Sequence, residues 1–298
     1  DREGEAIGWH ICMEFKLPVE TTKRVIFHEV TKNAIQECVK TPIILDMKLI
    51  YAQHARQVLD MLVGYKISPY LWKYLYNNKS NSLSAGRCQT PALRLIYENH
   101  NNRTNELEEK YKIYGKFFSK NIKFQLNKDI STSKDVLQFL ELSKTFSHRL
   151  SVGNFKKSTK EPPKPFHTSR LLQVASNVLH MSPKDTMNVC QKLYQGGFIT
   201  YMRTESTSYS KSYIEGACKY IENRFNNKKY IGNIEKLENK DINNPHEAIR
   251  VTQIGVSNIA SCEDRRMNTM YKLIWNNSIE SCMSSAIYNV SHIKITAP

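Results

Sequence analysis

The sequence predicts a multi-domain α+β protein. Three observations carry this. The chain has 298 residues, enough for two ordinary domains or several small modules sharing one body. Its apolar period changes from helical to alternating near Tyr111, then returns to helical after the proline-rich stretch that ends near Phe166. Alternation comes back only at Ile293 and Ile295, so a β module is split by a long insertion.

The first stretch, to about Phe15, reads as a helix after an acidic start. "RVIFHEV", from Arg24 to Val30, reads as a strand. "TKNAIQECV" reads as a short helix with Thr31 as its cap. Pro42 ends this unit, the tail of an α/β module.

Next, Ala55, Val58, Leu59, Leu62 and Val63 form one apolar helical stripe. Gly64 ends or kinks that helix. "SPYLWKYL" starts another, with Ser68 as cap and Pro69 at the first helical position. "SAGRCQTPALRLIYEN" carries a third after a glycine turn. Tyr111, Ile113 and Phe117, then Ile122, Phe124 and Leu126, alternate as a hairpin does.

"FKKSTKEPPKPFHTS" reads as an extended, semi-rigid linker, with Phe155 to Phe166 expected to act as a hinge. Two helices follow. One carries Leu171, Leu172, Ala175, Val178 and Leu179. The other opens at "SPKD", with Ser182 capping, Pro183 at the first position and Asp185 near the positive end. It stops at Gly196-Gly197. With the short strand "FITYM" these helices make a helix-turn-helix module with a wing.

The formal net charge is +15, which points to polyanionic partners, nucleic acid first. No apolar run is long enough to span a membrane, and no signal peptide opens the chain. Seven scattered cysteines, without a CxxC pair, argue against zinc and for reduced intracellular thiols. A cytoplasmic, nucleoid or host-cell location is expected, not secretion.

The stretch "GGFITYMRTES", Gly196 to Ser206, carries the chemistry. On a strand Tyr201 and Arg203 point to the same side. A phenol with an ordinary pKa near 10 is a poor nucleophile at neutral pH. A nearby guanidinium favours the phenolate and holds a phosphate. The pair suggests phosphotyrosine chemistry on a nucleic-acid backbone. A packed strand tyrosine beside a surface arginine is the bland alternative.

The chain resembles the type IA DNA topoisomerases over nearly its whole length. "GFITYMRTES" resembles their active-site signature. "DREGEAIGWHI" resembles the end of the acidic toprim motif. "AQHARQVLDMLVGYKISPYLW" and "LSAGRCQTPALRLI" resemble their DNA-binding helices, and "HEAIRVT" their histidine loop. The resemblance implies an end of toprim domain at 1–46 and a helical domain at 47–105. It implies a β arch at 106–166 with 283–298, and a helix-turn-helix domain with the catalytic tyrosine at 167–282.

It also implies roles. Tyr201 would be the nucleophile, forming a 5′-phosphotyrosyl link, and Arg203 would steady the scissile phosphate. Asp1 and Glu3 match two acids of a magnesium motif, and Mg2+ is the implied cofactor. Arg2, Arg24, Arg56, Arg87 and Gln89 match positions along a single-stranded DNA path. Tyr65 matches a base-stacking aromatic. His246 matches a histidine near the scissile phosphate. Glu247 is read as structural and Arg250 as a candidate phosphate contact.

The implied activity is ATP-independent strand cleavage, passage and rejoining by a monomer, relaxing negative supercoils or decatenating DNA. No phosphate-binding GxxxxGK[ST] loop occurs. Arg56-Gln57 and Met61 stand where many relatives carry further basic residues, and Val251 where proline is common. The implied general-acid glutamate, a lysine and the first metal acid would precede residue 1, and part of the arch would follow residue 298. The chain is therefore expected to be a fragment that binds single strands without relaxing plasmid. The contrasting reading is a helix-turn-helix DNA-binding protein without chemistry, which leaves Asp1, Glu3 and the "YMRT" stretch unexplained.

Overall fold

The structure, a computed structural model, describes residues 2–27, 29–75, 83–104, 110–232, 234–238, 246–259 and 264–298. Helix α1 (Arg2–Glu14) comes first, then β1 (Lys23–Arg24), α2 (Lys32–Lys40), β2 (Ile43–Ile44) and the long α3 (Met47–Tyr74). α4 (Gln89–Thr104) precedes β3 (Tyr114–Phe117), β4 (Ile122–Gln125), α5 (Ser133–Thr145), β5 (Leu150–Val152) and β6 (Lys156–Lys160). α6 (Thr168–Leu179), α7 (Pro183–Gln195), α8 (Lys211–Phe225), the short α9 (Ile234–Leu237) and α10 (Arg265–Glu280) follow. β7 (Ala286–Val290) and β8 (Ile293–Ile295) come last.

These elements form two compact units, Asp1–Tyr51 with Ser158–Tyr288, and Ala52–Lys157 with Asn289–Pro298. The first holds the main core, built by α6, α7, α8 and α10 around Leu171, Leu193, Ile221, Met270 and Ile274. Local signals explain its helix ends. Ser182 Oγ accepts the Asp185 N–H at 3.1 Å, and Pro183 sits where no helical N–H is needed. α7 stops at Gly196, and Gly197 follows with φ +75°. Asp264 caps α10 by accepting from Arg266 N at 2.9 Å.

α10 was not expected from the sequence, and there is a physical reason. The buried side of α10 includes Asn277 and Ser278 beside Met270, Tyr271 and Ile274, so its apolar stripe is interrupted. Asn277 is used as a clamp: Oδ1 accepts from Phe166 N at 3.0 Å and Nδ2 donates to Lys164 O at 3.1 Å. That anchors the end of the proline-rich stretch. Its start is β6, which pairs with β7.

Two strand expectations are corrected. "RVIFHEV" contributes only Arg24 to β1, which pairs antiparallel with β2 (Lys23↔Ile44); His28 lies outside the described residues. "FITYM" is not a strand: Ile199 makes a single bridge to Val251. Two backbone bonds flank that bridge, Thr200 N to Arg250 O at 2.9 Å and Thr252 N to Phe198 O at 3.0 Å, and threonine side chains supply the rest.

In the second unit β3 and β4 form the expected hairpin, with Tyr114 opposite Gln125. β5 pairs with β8, Leu150 opposite Ile295, so the end of the chain returns to this module. α5 was not expected; Thr132 caps it, accepting from Asp135 N at 3.2 Å. α3 is one helix, not two. Ser68, expected to cap, is buried and accepts from Ala85 N at 3.1 Å instead, and Pro69 lies inside the helix at the cost of one backbone bond. Val58, Leu59 and Leu62 of the apolar stripe remain exposed.

The six cysteines among the described residues are unbonded; Cys262 lies outside them. Burial pushes the thiols of Cys190 and Cys282 up to about 12, as for inert core groups. Among the described residues no helix is long and apolar enough to cross a membrane.

Candidate active site

The segment after α7 turns its residues alternately in and out. Met202, Thr204 and Ser206 are buried, Tyr201 is half-buried and Arg203 is exposed. Threonines replace the missing ladder. Thr168 Oγ1 lies 2.8 Å from Met202 O and accepts from Thr204 N at 2.9 Å, while Thr168 N donates to Thr204 O at 2.8 Å. Thr200 Oγ1 donates to Ala248 O at 2.9 Å and accepts from Arg250 N at 3.0 Å. Thr252 Oγ1 donates to Gly197 O at 2.7 Å. Each bond satisfies a backbone group that a sheet would otherwise serve.

Gly197 explains the double glycine. Its φ of +75° suits glycine, and a Cβ there would stand 2.5 Å from Val30 O. The turn before Tyr201 thus lies directly against the backbone of the N-terminal stretch.

Tyr201 sits between two rings. Tyr194 meets it edge to face at 5.4 Å, and His246 stacks on it at 6.3 Å and 27°. Burial, and then the neighbouring Tyr201, push the Tyr194 phenol up, so Tyr194 stays neutral. Burial lowers the His246 pKa, which favours the neutral imidazole. Arg203 has no ion-pair or hydrogen-bond partner among the described residues. Its guanidinium is available to an outside anion.

Arg250 corrects an expectation. It is 5% exposed and faces carboxylates, not solvent. Nε donates to Glu247 Oε2 at 2.7 Å, Nη1 lies 3.1 Å from Glu29 Oε2, and the guanidinium covers the Tyr213 ring at 4.4 Å. Burial pushes the Glu247 carboxyl up, but Arg250 and hydrogen bonds from Arg250 and Ser210 outweigh it and leave the pKa lowered. A fork so occupied is a structural ion pair and not a phosphate ligand.

A family model described as DNA topoisomerase matches residues 45–297. The chain belongs to the DNA topoisomerase family. It is also similar to the solved structure of full-length topoisomerase I from Thermotoga maritima, with 31% identity and a TM-score of 0.76. The match covers 100% of this chain and 52% of that one, so the chain spans about half the length of the topoisomerase it matches.

The other topoisomerase-like positions fall as follows. Arg2 and Glu3 are exposed on the first turn of α1; Asp1 lies outside the described residues. Arg24 bonds Glu5, which also accepts from Asp46 N at 3.2 Å, so Glu5 is sealed, whereas Glu3 is exposed. In the second unit Tyr65 is 77% exposed, Arg56 is half-buried, and Arg87 bonds Asp60. Gln89 donates to Ser84 O at 2.9 Å. Residues the motif reading passed over are Thr168, Thr200, Glu29 and Glu205. Glu205 accepts from Ser169 Oγ at 3.2 Å and lies 2.9 Å from His167 Nδ1, off the line of a hydrogen bond. Thr200 stands next to Tyr201 in the motif, whereas Thr168 lies too far along the chain for the motif to signal it.

Proposed function

We propose that this chain is the strand-cleaving core of a type IA DNA topoisomerase, with Tyr201 as nucleophile and single-stranded DNA as substrate. The observation that carries the reading is the outward pair of Tyr201 and the unpartnered Arg203 on a segment whose alternate residues are buried.

The Tyr201 phenol oxygen attacks phosphorus and loses its proton. The bond from phosphorus to the 3′ oxygen breaks, and that oxygen takes up a proton and leaves as a hydroxyl. The 5′ phosphate stays on Tyr201. The reverse step reseals the strand, so no ATP is needed. Arg203 holds the phosphate and offsets charge that develops on it. Neutral His246, stacked on the tyrosine ring, orients it. Arg2, Arg24, Arg56, Arg87, Gln89 and Tyr65 are proposed DNA contacts in their own units; Arg250 is not among them. The enzyme works as a monomer, in the compartment that holds the DNA.

Among the described residues no three His, Cys, Asp or Glu stand close enough together to hold a metal ion. Glu3 carries hard oxygen donors, and with Asp1 it would hold magnesium. Bound there, the ion would supply charge neutralisation at the phosphate.

The test is an SDS-stable adduct with end-labelled single-stranded oligonucleotide. The adduct is expected on Tyr201 and is expected to vanish in Tyr201→Phe. An adduct that survives Tyr201→Phe overturns the assignment. No adduct under any condition favours a DNA-binding protein without chemistry.

A further inference from the structure

The β3–β4 hairpin carries a surface its own fold does not need. From Lys110 to Lys128 there are six lysines and no acidic residue. All six are exposed. Lys112, Lys116, Lys120, Lys123 and Lys128 have no carboxylate partner among the described residues.

The pleat sorts this hairpin into two faces. Tyr114 stands opposite Gln125 and Lys116 opposite Lys123, so these four share one face. Phe117 and Phe124, on the other, meet edge to face at 5.7 Å and line a cavity of about 330 Å3 with Phe139 and Ile295. That second face belongs to the unit's own packing. On the first, Tyr114 and Gln125 reach the rim of the same cavity, whereas Lys116 and Lys123 do not line it.

The outward face tolerates three unfavourable features. Like charges directly opposite destabilise a strand pair, and Lys116 and Lys123 are such a pair. At the tip Phe118 is 56% exposed. Its φ is 65°, a left-handed conformation that bulky residues rarely adopt. Lys123 Nζ lies 3.8 Å from the Tyr114 ring centroid, so cation and ring already share one site. Alternating cations and aromatic rings is the chemistry of single-strand binding, where ammonium groups meet phosphates and rings stack on bases.

We propose that Tyr114, Lys116, Phe118, Lys120 and Lys123 form a second contact surface for single-stranded nucleic acid. Bases stack on Phe118 and Tyr114, and the three lysines hold phosphates. The surface extends the substrate grip proposed for the Tyr201 enzyme and rests on that reading for its biological strand. Its chemistry stands on the hairpin alone.

The 298-residue chain is titrated with fluorescein-labelled oligo(dT), oligo(U) and a duplex at several salt concentrations. The triple variant Lys116→Gln, Lys120→Gln, Lys123→Gln is expected to flatten the log–log salt slope by about 2, at roughly 0.7 per lost contact. Phe118→Asn is expected to raise Tm, because asparagine tolerates the left-handed region. The same change is expected to weaken oligo(dT) binding roughly 5-fold or more. These opposite signs separate a binding role from a folding defect. An unchanged slope in the triple variant, unchanged affinity in Phe118→Asn, or preference for duplex overturns the proposal. So does an effect confined to phosphatidylserine vesicles. Photo-crosslinking with a 4-thiothymidine oligonucleotide locates the strand. Crosslinks within residues 110–128 without a Tyr201 adduct uphold the surface and sink the active-site reading. A Tyr201 adduct without those crosslinks does the reverse.

Discussion

Arg250 Nη1 lies 3.1 Å from Glu29 Oε2, and this ion pair joins the N-terminal stretch to the segment that braces the Tyr201 loop. Arg250 N and O both bond Thr200, the residue before Tyr201. One buried residue therefore holds a carboxylate far away in sequence with its guanidinium and the loop with its backbone. Removing one partner of a buried pair leaves the other charge uncompensated. Arg250→Ala is expected to cost about 3–5 kcal/mol, read from urea unfolding. Arg250→Lys, if folded, is expected to leave the salt slope of oligo(dT) binding unchanged. A flatter slope would return Arg250 to the phosphate contacts.

The same cluster sets an acid limit. The folded-state pKa of Glu247 is lowered, with burial opposing and Arg250 prevailing. A depressed carboxylate adds stability that is fully present above its ordinary value of 4.5 and is lost as pH falls through the lower folded value. Unfolding free energy should therefore drop steeply as pH falls below that ordinary value. Glu247→Gln should lower stability at neutral pH and flatten this acid limb. An acid limb unchanged in Glu247→Gln would remove the cluster as its cause.

Gly197→Ala meets two obstacles at once, the positive φ and the Val30 carbonyl. The left-handed conformation alone costs about 1–2 kcal/mol, and the backbone contact adds to it. Thermal melts should show this loss, whereas Gly216→Ala, with nothing within 4 Å of its added Cβ and a helical position, should stabilise slightly. Equal effects at the two sites would show that the Gly197 turn does not press on Val30.

Tyr201→Phe should keep single-strand affinity and lose the covalent adduct. Arg203→Ala should slow adduct formation by roughly 10²-fold or more without moving Tm, because the side chain is exposed and unpartnered among the described residues. A fall in Tm with a normal adduct rate would make Arg203 structural.

Much of the framework was legible in local chemistry. Thr31, Ser182 and Gly196-Gly197 mark helix ends because capping depends on neighbours a few residues away. The β3–β4 hairpin declares itself by alternation. The motif around Tyr201 points to the family from neighbouring residues alone.

Other features were decided by distant partners. Ser68 reads as a cap, yet Ala85 N claims its hydroxyl, so α3 runs on through Pro69. "FITYM" reads as a strand, yet the Thr168 and Thr252 hydroxyls satisfy Met202 O and Phe198 O, and Thr200 N donates to Arg250 O. Arg250 reads as a candidate phosphate contact, yet Glu29 and Glu247 enclose it. By itself the sequence determined helix caps, the hairpin, the basic charge and the motif around Tyr201, since each depends on composition or on residues close along the chain. Which arginine faces solvent and which is sealed depends on carboxylates brought from far away, and only the tertiary structure decided that.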